Sequence, residues 1–305
     1  SSDVCSSDLK PIVKFLTFLP LAAVLFSCGG SNEAENKQSD STLNSDSGAV
    51  IQIPEELIGI PAPSEMLDFV RMTSKKGSKS TAFLNPVENL KNYKDAGSIA
   101  LNFGIYSCDL SYCSIFDISS STKSYFETVK TLGEEVGVSS VITPDIIKRA
   151  EANMKNPDSL MAIADQVYFS STELLESSGK GPMLALMIAG GYVESMHVAA
   201  NVLKFHPDNP AVGRFADQKF VIEDLILFLQ KYESNPSVAE VKKQLQSLRD
   251  EFSQITEKSV EAPKEKEGDK KVFGGGTILE MNEAQFKAIA EKVKTVRNNF
   301  AQIKS

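Results

Sequence analysis

Apolar residues recur three and four positions apart along most of the chain beyond Ser64. The C-terminal third carries the cleanest period: Val238, Val241, Leu245, Leu248, Phe252 and Ile255 step 3-4-3-4-3, and Phe286, Ile289, Val293, Val296, Phe300 and Ile303 repeat those steps. Ile222, Leu225, Leu229 and Tyr232 show the pattern more briefly. Such spacing places apolar side chains on one helical face, and its average of about 3.5 residues is that of a coiled-coil-like seam. Punctuation agrees with the period. Asn85-Pro86, Thr143-Pro144, Asn156-Pro157, Asn209-Pro210 and Asn235-Pro236 each put a short polar side chain before a residue that lacks an N–H and already has a helical φ. That pair suits the start of a helix. Gly137 is placed to end one, and Asn282 with Gln285 opens the last in capping-box fashion.

These marks predict helices over 64–74, 86–93, 96–117, 121–136, 144–154, 157–177, 182–205, 211–232, 236–257 and 282–304. The fold class is therefore all-α, a multi-helix antiparallel bundle. It forms one domain over 49–305, with a central part at 85–205 and a coiled-coil-like part at 210–304 that contains a linker at 258–276. The Asn/Thr-Pro pairs are unevenly spaced, which argues against a solenoid. Seams this short favour packing within one chain, hence a monomer; a seam shared between copies is the homo-oligomeric alternative. The linker is rich in Lys and Glu and ends in Gly274-Gly275-Gly276 without the Lys and Ser/Thr of a phosphate loop. Across the glycines, Val272-Phe273 and Thr277-Ile278-Leu279 are expected to pair as a hairpin.

The first 48 residues follow a different logic. Ser1 to Leu9 contains Ser-Ser-Asp twice and reads as a translated sequencing adapter fused to a truncated gene, so it is left out of the fold. Lys10 and Lys14 precede an apolar run from Phe15 to Phe26 that ends in Leu25-Phe26-Ser27-Cys28. This stretch resembles the lipobox of bacterial lipoproteins. The resemblance implies that 10–27 is an export signal, that its start lies upstream of the residues given, and that Cys28 becomes acylated with palmitate-type chains. Residues 28–48 are almost devoid of apolar side chains and are expected to be a disordered tether with a reach of about 25 Å. Val50-Ile51-Gln52-Ile53 alternates and reads as an extended lead-in. Gly29-Gly30 lacks the Asp associated with inner-membrane retention, so the outer membrane is favoured, with the periplasmic or surface side left open.

Charge narrows the partners. The chain has 32 basic and 40 acidic residues, for a net charge of −8, and loss of the signal with its leader removes two of each sign. This acidity argues against a nucleic-acid footprint, which would need a clustered basic surface, and gives no reason to expect electrostatic docking on anionic lipid. Membrane attachment then rests on Cys28 alone, and an envelope protein is the expected partner. Cys108 and Cys113, five apart on one predicted helix, would have Cα atoms roughly 8 Å apart, beyond disulfide reach, so two buried free thiols are expected.

Two predicted helices are apolar all round and should be central. Ile99 to Cys113 carries a polar stripe of Asn102, Tyr106, Asp109 and Cys113. Pro182 to Val193 is uncharged over twelve residues, too short for a membrane span, and is followed by Glu194 and His197 on one face. The segment Leu101-Asn102-Phe103-Gly104-Ile105-Tyr106-Ser107-Cys108-Asp109-Leu110-Ser111-Tyr112, with Gly190-Gly191-Tyr192-Val193-Glu194 some eighty residues later, resembles uncharacterised lipoproteins of Bacteroidota over about residues 85–205. That resemblance implies export and an α-helical body, and brings no activity, enzyme class or cofactor.

Three arrangements of the polar residues remain open. In the one given most weight, Asn102, Asp109, Glu194 and His197 satisfy one another and fix helix register. In the second they form the base of a ligand pocket lined by Tyr106, Tyr112 and Tyr192, with Gly190-Gly191 permitting either close helix approach or room for a guest. In the third they hold metal. Glu194-x-x-His197 has the spacing of a dinuclear carboxylate bundle, but a second such motif is lacking because Leu203 stands three residues before His206; a mononuclear site would draw on Asp109, Glu194 and His197. No nucleophile elbow is present. The expected function is a lipid-anchored, non-enzymatic interaction or structural module of the cell envelope that needs no cofactor. Its alternative is a ligand- or metal-binding protein built on the polar cluster.

Overall fold

Thr143, Asn156, Asn209 and Asn235 each cap the helix that follows, accepting from an N–H of its first turn, with Pro at the start. Asn282 and Gln285 form a reciprocal capping box, each backbone N–H bound by the other's side chain at 2.8 and 2.9 Å. Gly137 ends its helix with a φ of 93°, the left-handed conformation that closes a helix without a Cβ clash. The computed structural model describes residue 57 and residues 59–73, 80–260 and 276–302. The adapter-like leader, the export signal, Cys28, the tether, most of the lead-in, Val272-Phe273 and Ile303 lie outside the described residues.

The described elements are α1 (Pro63–Thr73), a 3-10 helix (Val87–Asn92), α2 (Ala96–Ile115), α3 (Ser119–Val136), α4 (Pro144–Ala152), α5 (Pro157–Ser177), α6 (Gly181–Val202), α7 (Pro210–Gln230), α8 (Pro236–Phe252), β1 (Thr256–Val260), β2 (Gly276–Glu280) and α9 (Glu283–Gln302). The architecture is all-α. The two apolar helices are central: α2 packs on α1, α3, α5, α6 and α9, while α6 also meets α7 and α8. By length and composition α6 could cross a membrane, yet 89% of its apolar window is buried inside the protein. Helix α8 packs on both α7 and α9, and the heptad positions Ile222, Leu225, Val241, Leu245, Ile289 and Val293 are fully buried.

The α2–α6 crossing depends on glycine. A Cβ built on Gly104 would lie 1.9 Å from the Met187 carbonyl oxygen, and one on Gly190 would lie 2.0 Å from that of Leu101. The obstacle is backbone in both cases, so the helices approach closely only because the side chains are absent. Gly190 therefore serves close approach and leaves no space for a guest.

Four predicted boundaries are corrected. The helix expected over 86–93 is a 3-10 helix, and Asn85 does not cap it. Its side chain turns inward, where it donates to the Tyr93 hydroxyl at 3.0 Å and accepts from Asn89 at 2.8 Å. The helix expected to reach residue 205 ends at Val202. The helix expected to reach 257 ends at Phe252; Ile255 stays buried at the seam from a turn beyond it. Residues 256–260 are strand, pairing antiparallel with β2 in the register Lys258↔Ile278. Among the described residues Thr277-Ile278-Leu279 pairs with β1, while the expected partner Val272-Phe273 lies outside them. Alternation in Thr256-Glu257-Lys258-Ser259-Val260 is too polar to announce a strand, and cross-strand bonding with a Lys258–Glu280 ion pair of 2.9 Å holds it.

One large apolar cluster spans α1 to α9. A smaller one, Ile146, Ala150, Leu160 and Ile163, sits between α4 and α5, and Phe126 and Val167 touch both. Cys108 and Cys113 are free, buried thiols.

Candidate functional site

Between α1 and α2 the chain runs through residues 80–95 with only a short 3-10 helix, so its inner backbone groups need partners from elsewhere. Side chains of α2, α3 and α6 supply them. The Tyr112 hydroxyl donates to the Ser80 carbonyl at 3.1 Å, Tyr106 to that of Pro86 at 2.7 Å, and Tyr125 of α3 to that of Asn85 at 3.1 Å. Asp109 accepts the Asn85 N–H at Oδ2, 3.1 Å away. His197 Nε2 lies 3.1 Å from the Phe83 carbonyl oxygen. A carbonyl can only accept, so that nitrogen carries the proton and the ring is the Nε2–H tautomer. Asn102 accepts from Asn85 Nδ2 at 3.3 Å and donates to the carbonyls of Ser98 and Phe300 at 2.9 and 3.3 Å. Tyr93 ties the same cluster to α9 through the Ala301 carbonyl at 3.0 Å.

Glu194 does not face His197. It turns to Arg297 of α9 in a bidentate pair, Nε to Oε2 at 2.7 Å and Nη2 to Oε1 at 3.2 Å, with both side chains buried. Asp109 stands beside this pair, close enough for the charges of Glu194 and Arg297 to act on it. Burial first, then the Glu194 charge, push its carboxyl well above the usual range. Asp109 Oδ1 has no hydrogen-bond partner among the described residues. The site holds one opposed charge pair and, beside it, a carboxyl that holds its proton more tightly than an exposed one.

The sequence-derived residues are thus partly brought together. Asn102, Tyr106, Asp109, Tyr112 and His197 converge on residues 80–86, whereas Tyr192 reaches the Gln218 carbonyl of α7 at 3.3 Å. The three tyrosine hydroxyls donate to separate backbone carbonyls, those of Pro86, Ser80 and Gln218. Asp109, Glu194 and His197 do not share a centre, and the described residues contain no group of three or more His, Cys, Asp or Glu side chains that could hold a metal. Burial pushes Tyr112 up to about 12 and lowers His197, keeping one a hydroxyl donor and the other a neutral ring. Burial, Glu194 and Asp109 push the Cys108 thiol well up, and its sulfur rests 3.4 Å from the Ser195 hydroxyl, so it is a poor nucleophile.

Sequence reasoning missed Arg297, Asn85, Tyr93 and Tyr125. A signal for Arg297 was present: at 100° per residue it lies 40° from Val293, at the flank of the arc occupied by Val293, Val296 and Phe300. A cation at the edge of an apolar stripe asks for an anion nearby, and Glu194 is the charge on α6.

A second feature lies on the opposite side of α2. A cleft enclosing about 50 Å³ opens between α2, α3, α4 and α5, where the large and small apolar clusters fail to close on each other. None of the sequence-derived candidates lines it. Asp165 of α5 does, accepting a hydrogen bond from the Ser64 hydroxyl. Burial chiefly, with Glu65 and Asp68 nearby, pushes its carboxyl up to about 6 against the opposing effect of Ser64. No family model, curated protein or solved structure matches this chain.

Proposed function

We propose that this protein is a lipid-anchored component of the cell envelope, attached through Cys28, whose helical body acts as a non-enzymatic structural or interaction module. The observation that carries the reading is where the polar chemistry goes. Carbonyls of Ser80, Phe83, Asn85 and Pro86 and the Asn85 N–H are bound by side chains from α2, α3 and α6. Glu194 is spent on Arg297. Groups that could act as general acid, base or ligand are thereby used to clamp the chain onto its own core, which favours a rigid scaffold over a reaction centre.

Attachment follows from the Lys10, Lys14, Phe15–Phe26 and Leu25-Phe26-Ser27-Cys28 pattern, and the outer membrane is the favoured location. The partner is an envelope protein met by the body at the end of its tether. Fractionation of cells making the wild type and Cys28→Ser tests the anchor: the variant appears in the soluble fraction and loses incorporation of an alkyne-tagged fatty acid. Retention in the membrane fraction would overturn it. A stoichiometric metal in protein purified without chelator would overturn the structural reading of the polar cluster.

A further inference from the structure

We infer that the cleft between α2, α3, α4 and α5 is a binding site for a small amphipathic amine, with its apolar body against the wall and its ammonium at Asp165. The inference is independent of the anchoring and scaffold reading. Its first support is shape and chemistry: the wall is mostly apolar, built by side chains such as Phe103, Leu110, Val129 and Ile163, and belongs to neither cluster alone. Two cores that met fully would leave no such gap, since interiors pack to crystal-like density.

The second support is the polarity of what remains. The Ser107, Ser111, Ser114 and Thr122 hydroxyls on the wall donate to the carbonyls four residues back, at 2.7, 3.0, 2.8 and 3.1 Å. Ser64 donates to Asp165. Each of these oxygens has spent its proton and presents only lone pairs, and Asp165 adds a carboxylate. The wall therefore asks for a hydrogen-bond donor, and a charged donor pairs best with Asp165. Lys130 and Tyr168 are the other polar side chains on the wall, so an anionic ligand must be included in the test.

The test uses the full chain carrying Cys28→Ser, so that no detergent competes for the apolar wall, and calorimetric titration with n-hexylamine, n-hexanol and hexanoate. Hexylamine is expected to bind saturably and at least tenfold tighter than hexanoate. Asp165→Asn should bring hexylamine down to the affinity of hexanol, which itself is unchanged, and Ala164→Leu should fill the cleft and abolish all three. Equal or tighter binding of hexanoate, or no saturable binding of any probe to the parent protein, overturns the proposal without recourse to variants. An undiminished hexylamine affinity in a folded Asp165→Asn protein does so as well.

Discussion

Glu194 and Arg297 form a buried bidentate pair at 2.7 and 3.2 Å, joining α6 to α9 across 103 positions of sequence. Deleting one partner strands the other charge out of water, so Arg297→Met or Glu194→Leu alone should cost about 3–5 kcal/mol. The double variant Glu194→Leu/Arg297→Met removes both charges and should recover most of that loss. Urea denaturation of the three proteins checks this, and a double variant no better than the singles would refute the account.

Asp109 gives a pH signature. Its folded-state pKa lies well above that of an unfolded Asp, so its contribution is fully present in acid and is lost as pH rises. Asp109→Asn keeps an acceptor for the Asn85 N–H and removes the titrating carboxyl. Its stability should fall less than that of the wild type between pH 4 and 7, whereas Asp109→Ala should cost about 1–3 kcal/mol throughout. Parallel pH profiles for wild type and Asp109→Asn would show that Asp109 is ionised in the folded protein.

Asp165 has the same sign in a narrower window. With its carboxyl pushed up to about 6, stability is expected to decline between about pH 4 and 6 and to level off above. The change is of order 1–2 kcal/mol after allowance for residual solvent contact. Thermal melts of wild type and Asp165→Asn across that range measure it, and an identical slope in both would remove Asp165 as the cause.

His197 acts in the opposite direction, because burial lowers its pKa. Its contribution is present above the unfolded value near 6.5 and is lost as pH falls through the folded one. His197→Gln, which retains an N–H for the Phe83 carbonyl, should abolish that acid sensitivity at a cost of about 1 kcal/mol at pH 7. Proton NMR titration of the ring locates the transition, and a pKa at or above that of an exposed His would contradict it.

Gly104 and Gly213 make a matched pair. Gly104→Ala drives a methyl into the Met187 carbonyl and should lose at least about 2 kcal/mol. Gly213 in α7 has no atom within 4 Å of a built Cβ, so Gly213→Ala should gain about 0.5–1 kcal/mol through helix propensity. Equal effects from the two would contradict the close crossing of α2 and α6.

Residues near in sequence carried most of what was legible. Val238 to Phe252 and Phe286 to Phe300 announced their helices, and Thr143, Asn156, Asn209 and Asn235 announced the starts of theirs, because periodicity and capping act within one or two turns. The apolar helices α2 and α6 were identifiable as the centre by the same means. Asn85-Pro86 misled because the capping signal lost to a tertiary one: burial of Asn85 among Tyr93, Asn102 and Asn89 satisfies its side chain better than a short exposed helix would. The strand at Thr256–Val260 was hidden because its partner is supplied by Gly276–Glu280, beyond an intervening segment.

By itself the sequence determined the fold class, the central position of the two apolar helices and the residues on their polar stripe, all of which follow from side-chain type at helical spacing. Only the tertiary structure decided what those residues do. Glu194 and His197, one turn apart, part company because Arg297 approaches from α9 and the Phe83 carbonyl from the 80–95 segment. Burial makes such partners obligatory, and which group arrives is set by packing between elements far apart in the chain.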